Sequence, residues 1–336
     1  MNAVTPVNKF TWLLKREYWE HRGGFFWTPM ITAMVILSIM LLVLVSAEFL
    51  ANQNGINMNG IHLEQLTKHL GESEIEKMHA GVDIGLLSLS FPIGIALFFV
   101  VLFYGIGALY NDRSDRSALF WKSLPISDLS TVLSKVVAAT LVAPVLAMAA
   151  IIALQLGFLL LMSLYALLHG INPFPLLWSP THLVALWVKL VLVIPVNALW
   201  ALPTVGWLLL CSSFARSKPF LWAVALPIMA GVLNSWFGLL KNMSLTSTWF
   251  WQNIVGRLLL SIVPGSWMDA ETLRNTFERA GDDVRISMGP RLDSGFTLDA
   301  IGHALVSPSM LIGIVAGVAM IAAAVYFRRV RTESYA

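Results

Sequence analysis

The chain has 336 residues, of which 57% are apolar and 12% charged. Soluble domains carry roughly 45–50% apolar and about 25% charged residues, so this balance excludes an ordinary soluble enzyme, a disordered scaffold and a nucleic-acid-binding domain. The formal charge of +3 does not restore nucleic acid as a partner, because the basic residues sit in short segments beside long apolar runs. That is the pattern of an all-α polytopic membrane protein.

Residues 9–22, KFTWLLKREYWEHR, predict an amphipathic helix ahead of the first apolar run. At about 100° per residue, Phe10, Leu13, Leu14 and Tyr18 share one side. Trp12 and Trp19 share the opposite side, with Lys15 and Arg16 nearby. That side suits either a lipid headgroup layer or a cytoplasmic partner. The segment is too charged for a secretory signal, and no short apolar region with a cleavage site follows. Gly23 and Gly24 supply a flexible break.

A spanning helix needs about 20 mostly apolar residues. Six runs qualify: 28–49, 84–109, 136–168, 183–211, 219–240 and 308–327. They are continuous and lack the period-2 alternation of barrel strands. Pro92, Pro144, Pro195, Pro203 and Pro227 fall inside them, where membrane helices accept kinks. The loop 50–83 is acidic, with a short helix expected near 62–79. The loop 241–307 holds DAETLRNTFERAGD, in which Asp269 caps a helix with Leu273, Phe277 and Ala280 on one face and Gly281 as its stop. Within that loop, residues 249–267 are apolar. A seventh span there would put Arg257 near mid-membrane at about 2.5–3.5 kcal/mol, so an interfacial or re-entrant helix is expected instead.

Lys and Arg counts orient the chain. The N-terminal segment has Lys9, Lys15, Arg16 and Arg22. The loop 110–135 has Arg113, Arg116, Lys122 and Lys135. The fourth loop has Arg216 and Lys218, and the C-terminal tail has Arg328, Arg329 and Arg331. These alternate with basic-poor loops, so both termini are expected in the cytoplasm of a cell's inner membrane. The long loop 241–307 carries six basic residues, but long loops translocate largely regardless of charge. The one cysteine, Cys211, excludes an intramolecular disulfide and a Cys-based zinc cluster.

The loop 110–135, YNDRSDRSALFWKSLPISDLSTVLSK, is the most informative. Ser114 can cap a short helix over 115–123 that carries Ala118, Leu119, Phe120 and Trp121. Pro125 then breaks the chain, and Ser127 or Asp128 caps the helix leading into the third span. So apolar a helix in an aqueous loop either lies on lipid or seats in a groove of another protein.

This pattern resembles the permease subunit of type-2 ABC exporters. The matching residues are Asp112, Asp115 and Ser117, then Ser123, Leu124, Pro125, Ile126 and Ser127, then Lys135. The segment KREYWEHRGGFFWTP is similar to the family's amphipathic N-terminal helix. Two departures are Ser134, where Gly often precedes the Lys, and Asn111 with Asp112, where Glu is usual. The resemblance implies one transmembrane domain over 1–336. It implies a coupling helix near 115–124 that docks on an ATPase subunit through Leu119, Phe120, Trp121, Leu124 and Pro125, rimmed by Arg113, Arg116 and Lys122. The N-terminal helix would touch the same ATPase through Trp12, Lys15, Arg16 and Trp19. No G-x-x-x-x-G-K-[ST] occurs in the chain, so ATP and Mg would sit on a separate ATPase, present in two copies. A second permease half, as a homodimer or a paired permease, is implied, and transport by rocking of the halves.

Within the spans, Gln155, Asn197 and Asn234 suit interhelical hydrogen bonds or the lining of a pathway. Lys189 suits snorkelling or a substrate contact. Glu48 could pair with it or stay solvated. The seven His lack metal-ligand spacing. Intramembrane catalysis has little footing: neither H-E-x-x-H nor G-x-S-x-G is present, and Asp112 with Asp115 is a spacing common at helix starts. A non-transporting membrane anchor or assembly protein would need the same spans.

Overall fold

The computed structural model describes residues 6–54, 72–115, 126–179, 183–239, 247–268 and 298–333. Most of the expected coupling helix lies outside these residues, including Arg116, Leu119, Phe120, Trp121, Lys122, Leu124 and Pro125. So do the helix expected at 269–281 and the first part of that expected at 62–79. The described chain is helical, with no strand among the described residues.

Its helices are α1 (Pro6–Glu20), α2 (Thr28–Gln53), α3 (Glu72–Gly107), α4 (Tyr110–Ser114), α5 (Asp128–Val137), α6 (Ala143–Leu168), α7 (Leu183–Trp200), α8 (Leu202–Phe214), α9 (Leu226–Leu239), α10 (Ser247–Phe250), α11 (Arg257–Leu259), α12 (Leu298–Val306) and α13 (Pro308–Glu333). Five stretches are long and apolar enough to cross a membrane: Gly23–Gln53, Gly85–Ser114, Asp128–Leu168, Leu183–Trp200 and Pro308–Val330. The protein is therefore a multi-pass, all-α membrane protein.

The expected fourth span is less regular than its composition suggests. The run 183–211 is broken at Ala201, between α7 and α8. Pro203 stands near the start of α8 and offers no N–H to the turn before it. Hydrogen bonds from Ala201 N to the Asn197 carbonyl and from Val205 N to the Ala201 carbonyl bracket the break. The run 219–240 is helical over 219–239, by way of the π-helical turn Leu221–Ala225.

Proline also explains a recurrent irregularity. The π-helical turns Gly23–Trp27, Ala138–Val142 and Leu221–Ala225 come just before Pro29, Pro144 and Pro227. A proline cannot donate to the carbonyl four residues back. The ladder slips by one residue instead: Thr28 N bonds the Gly23 carbonyl and Ala143 N bonds the Ala138 carbonyl. At Pro227 the bypassed carbonyl is that of Ala223, and it accepts the Trp207 indole N–H at 2.8 Å.

The core runs through the middle of the bundle. α6 packs on α2 and α3, α3 also packs on α8, and α8 packs along α13. Leu97, Val101, Leu154, Val205, Leu208 and Ala324 are among its buried residues. α2 sits at the edge, with Leu42, Val43, Val45 and Phe49 exposed along an apolar surface that suits lipid. Close approach at the α8–α13 crossing is made by glycines: a Cβ on Gly206 would lie 2.7 Å from the Gly317 carbonyl oxygen.

The stretch 249–267 is expected to be interfacial or re-entrant. Helical structure there runs from α10 through the π-helical turn Trp251–Gly256 to α11 and ends at Leu259. Arg257 lies over the Trp200 ring at 3.5 Å and donates to the carbonyls of Trp200 and Ser309 and to Ser261 Oγ. Thr204 Oγ1 donates to the Arg257 carbonyl and accepts from Ser261 N. The segment is thus pinned at the α7–α8 break.

Candidate functional site

One end of the bundle carries a buried ionic junction. It is assembled from α1, α3, α4, α5 and the end of α13. α1 turns Leu13 and Glu17 inward and leaves Trp12, Lys15 and Trp19 exposed. The inward face is therefore apolar with a carboxylate one turn after Leu13. A buried carboxylate is costly unless it is paired, and this one is paired several times. Lys135 Nζ on α5 lies 3.2 Å from Glu17 Oε1 and 3.4 Å from Asp112 Oδ2 on α4. Tyr104 on α3 donates its hydroxyl to Glu17 Oε2 at 2.8 Å. Arg16 Nη2 lies 2.6 Å from Glu17 Oε1. The His21 ring stands edge-on to Tyr104, 4.7 Å away.

The second half of the junction is Arg328 on α13. Its Nη1 lies 3.2 Å from Asp112 Oδ2 and its Nε donates to Asp128 Oδ1 at 3.0 Å. Glu17, Lys135, Asp112 and Arg328 are all buried. Three cations (Arg16, Lys135, Arg328) face three carboxylates (Glu17, Asp112, Asp128), so the named charges balance. That balance makes burial tolerable, since an unpaired charge in low dielectric is far more costly than a paired one.

The junction brackets the loop of residues 116–125. Asp112 precedes that loop and Asp128 follows it, and one guanidinium holds both. Of the two caps expected, Ser127 or Asp128, it is Ser127 that caps α5, by accepting from Ser130 N. On the preceding side, Ser212 Oγ accepts from Leu109 N and Tyr110 N. Arg113 donates to the Ser212 and Ala215 carbonyls at 2.5 and 3.0 Å. Those carbonyls close α8, where the helix dipole favours a cation. Arg113 is thus engaged within this chain.

The other expected site residues separate. Trp12 and Trp19 stand out from α1, with Lys15 over the Trp12 ring and Arg22 over that of Trp19. Arg16 instead turns toward Glu17. Gln155 is fully buried: its Nε2 donates to the Leu86 carbonyl and Ser90 Oγ, and its Oε1 accepts from Trp187 Nε1. It ties α3, α6 and α7 together. Asn197 Oδ1 accepts from Gly265 N, and Asn234 is half-buried on α9. Gln155 and Asn197 share no partner. Glu48 meets His169 and Tyr165. No cluster of three metal-ligating side chains occurs among the described residues.

In the sequence Lys135 stands out as a motif and orientation residue, Asp112 as a motif residue and a possible partner of Asp115, Arg328 for orientation and Asp128 as a cap, and nothing there singles out Glu17 as a site residue. The available signal was a lone carboxylate in the apolar stripe of an amphipathic helix.

Fold and site together define a multi-pass membrane protein with an ion-paired junction gathering its N-terminal helix, a bracketed loop and its last long helix. No family model matches the chain, and no similar curated protein or solved structure was found.

Proposed function

We propose that this chain is the permease subunit of an ATP-driven ABC exporter, with residues 110–135 coupling it to a separate ATPase. The observation that carries this reading is the clamp of Arg328 on Asp112 and Asp128, which binds the loop between them to the last long helix. A push on that loop would be felt at once by α1, α5 and α13 through Lys135 and Glu17. Such rigid linkage is what transmission from a docked motor requires. In this reading six spans cross a cell's inner membrane, with both termini cytoplasmic. The stretches 183–211 and 219–240 serve as the fourth and fifth spans. Trp12, Lys15 and Trp19 face the same ATPase, which carries ATP and Mg, and a second copy of the chain completes the pathway.

The test is capture of the tagged chain from its native membrane together with an ATPase, followed by ATP hydrolysis in liposomes. The Leu119→Asp/Trp121→Asp double variant is expected to insert normally yet lose the ATPase, with hydrolysis in the preparation falling at least about tenfold, or 1.4 kcal/mol. Co-purification of the double variant at wild-type yield would overturn the coupling assignment. Topology is read separately. Cys211 is buried, so the wild-type protein should stay blank to a membrane-impermeant maleimide. Ala336→Cys is then expected to label only from the cytoplasmic face, and labelling from outside would defeat the six-span arrangement.

A further inference from the structure

At the end of the bundle opposite the ionic junction, α2 and α6 form a cleft of about 550 Å3. That lies within the roughly 300–1,000 Å3 range of small-molecule sites. Two stripes at helical spacing build it. α2 contributes Leu41, Val45 and Phe49, and α6 contributes Leu161, Leu164 and Leu168. These walls run from Leu41 to Asn52, about 16 Å along the axis at 1.5 Å per residue. They are open toward the lipid side: Val45 and Leu168 are 59% and 74% exposed.

The cleft ends in a polar corner made of two i, i+4 pairs, Glu48 with Asn52 and Tyr165 with His169. Tyr165 donates its hydroxyl to Glu48 Oε2 at 3.3 Å, and His169 Nε2 lies 3.0 Å from the same oxygen. Both contacts fall on one carboxylate oxygen. Glu48 Oε1 has no hydrogen bond among the described residues, and its side chain keeps 37% of its surface. The other ring nitrogen, Nδ1, lies 2.9 Å from the Tyr165 carbonyl, so the imidazole is held in place rather than free to swing away.

We propose that this cleft binds an amphiphile with a cationic amine head and a single alkyl chain. The chain lies between α2 and α6, where leucine and phenylalanine surfaces are otherwise left to lipid. The ammonium group sits at Glu48 Oε1, with the Asn52 amide beside it, and meets the one carboxylate of the corner. An anionic head would face that carboxylate and be repelled. The site does not depend on the exporter reading; a chain that carries no cargo could still hold this ligand.

The corner also sets a pH dependence. The Tyr165 backbone carbonyl and the Glu48 carboxylate, both close to the ring, hold the His169 imidazolium above the ordinary histidine range. Of the groups facing His169, Tyr165 lies on its own element and Glu48 on α2; no other charged group among the described residues acts on it. While His169 is protonated it compensates Glu48 and competes with the amine. As pH rises and the ring discharges, the carboxylate is freed and amine binding tightens.

The experiment uses the full chain in phosphatidylcholine nanodiscs and a dodecylamine probe carrying a diazirine on its alkyl chain. Adducts are expected on residues 41–52 and 161–169 by peptide mass spectrometry. Dodecylamine should compete at least about tenfold better than dodecanol or dodecanoate, a 1.4 kcal/mol preference. Labelling should rise with pH as His169, held above the ordinary histidine value, discharges. Glu48→Gln should reduce labelling about tenfold, and His169→Gln should flatten the pH profile. Leu168→Trp fills the mouth from an exposed position and should block labelling without touching the polar corner. Equal competition by dodecanol would reduce the cleft to an apolar crevice and overturn the proposal. So would adducts elsewhere, or full labelling of both Glu48→Gln and Leu168→Trp.

Discussion

Lys135→Met lowers the stability of the protein by about 3–5 kcal/mol, the usual cost of removing one partner from a buried ion pair. Lys135 is 1% exposed and Glu17 is fully buried. Methionine fills much the same volume but leaves Glu17 and Asp112 without the cation between them. Asp112 keeps Arg328, and Glu17 keeps Tyr104 and Arg16, so the loss falls short of complete unfolding. Thermal or detergent denaturation of the purified variant measures it. The decisive comparison is Glu17→Gln with Lys135→Met, which removes one charge of each sign. The Tyr104 hydroxyl can still donate to the carbonyl oxygen of the introduced amide. The double variant is therefore expected to lose less than the two single losses added together, by a coupling energy in the range of about 0.5–3 kcal/mol found for directly interacting residues. A single variant as stable as wild type would mean that the junction does not hold these helices together.

That experiment also separates structure from coupling. If the double variant regains stability but an ATPase captured under the proposed reading is no longer stimulated, the charges serve transmission beyond packing. Arg328→Met disconnects α13 from both ends of the loop while sparing the Lys135–Glu17 contact.

The helical class and most of the long helices were legible from composition, because about 20 consecutive apolar residues leave few other possibilities. Ser127 was legible as a cap because capping is local. The break at Ala201 is legible in principle: Pro203 marks it, although a proline within an apolar run reads as a kink as readily as the end of one helix and the start of another. The junction was not legible. Glu17 and Lys135 are 118 residues apart and Asp112 and Arg328 are 216 apart. A sequence marks each as a charge near a span end and gives no sign of which charges meet. Glu48 and His169 posed the same problem. The sequence leaves Glu48 either solvated or paired with Lys189, whereas packing of α2 on α6 brings His169 to it. The expected docking helix, outside the described residues, leaves Arg113 as the rim residue whose surroundings are visible, and it turns toward the end of α8.

Gly317→Leu is expected to be as damaging as the loss of Lys135, through sterics rather than charge. Gly313 and Gly317 form a G-x-x-x-G pair on α13, a spacing that lets membrane helices approach backbone to backbone. A Cβ at Gly317 would lie 2.6 Å from the Leu202 carbonyl carbon and 2.8 Å from its oxygen. These are backbone atoms at the start of α8, and a rotamer change cannot move them. A Cβ at Gly313 would meet the Arg257 guanidinium and Pro203. The helices must therefore separate, which strips contacts along α8 and pulls Ser309 from Arg257. Over-packing a tight site costs about 1–3 kcal/mol, and a leucine set against immobile backbone should reach the top of that range or exceed it. Gly206→Ala, on the facing helix, probes the same crossing with one carbon and should lose a measurable part of it. Gly302 supplies the control. It lies inside α12 with nothing within 4 Å of an added Cβ, so Gly302→Ala should be neutral or gain about 0.5–1 kcal/mol from the stiffer helix. If Gly317→Leu and Gly302→Ala unfold alike, the crossing is looser than its glycines indicate, and Arg257 and the Arg328 clamp must hold α13 by themselves.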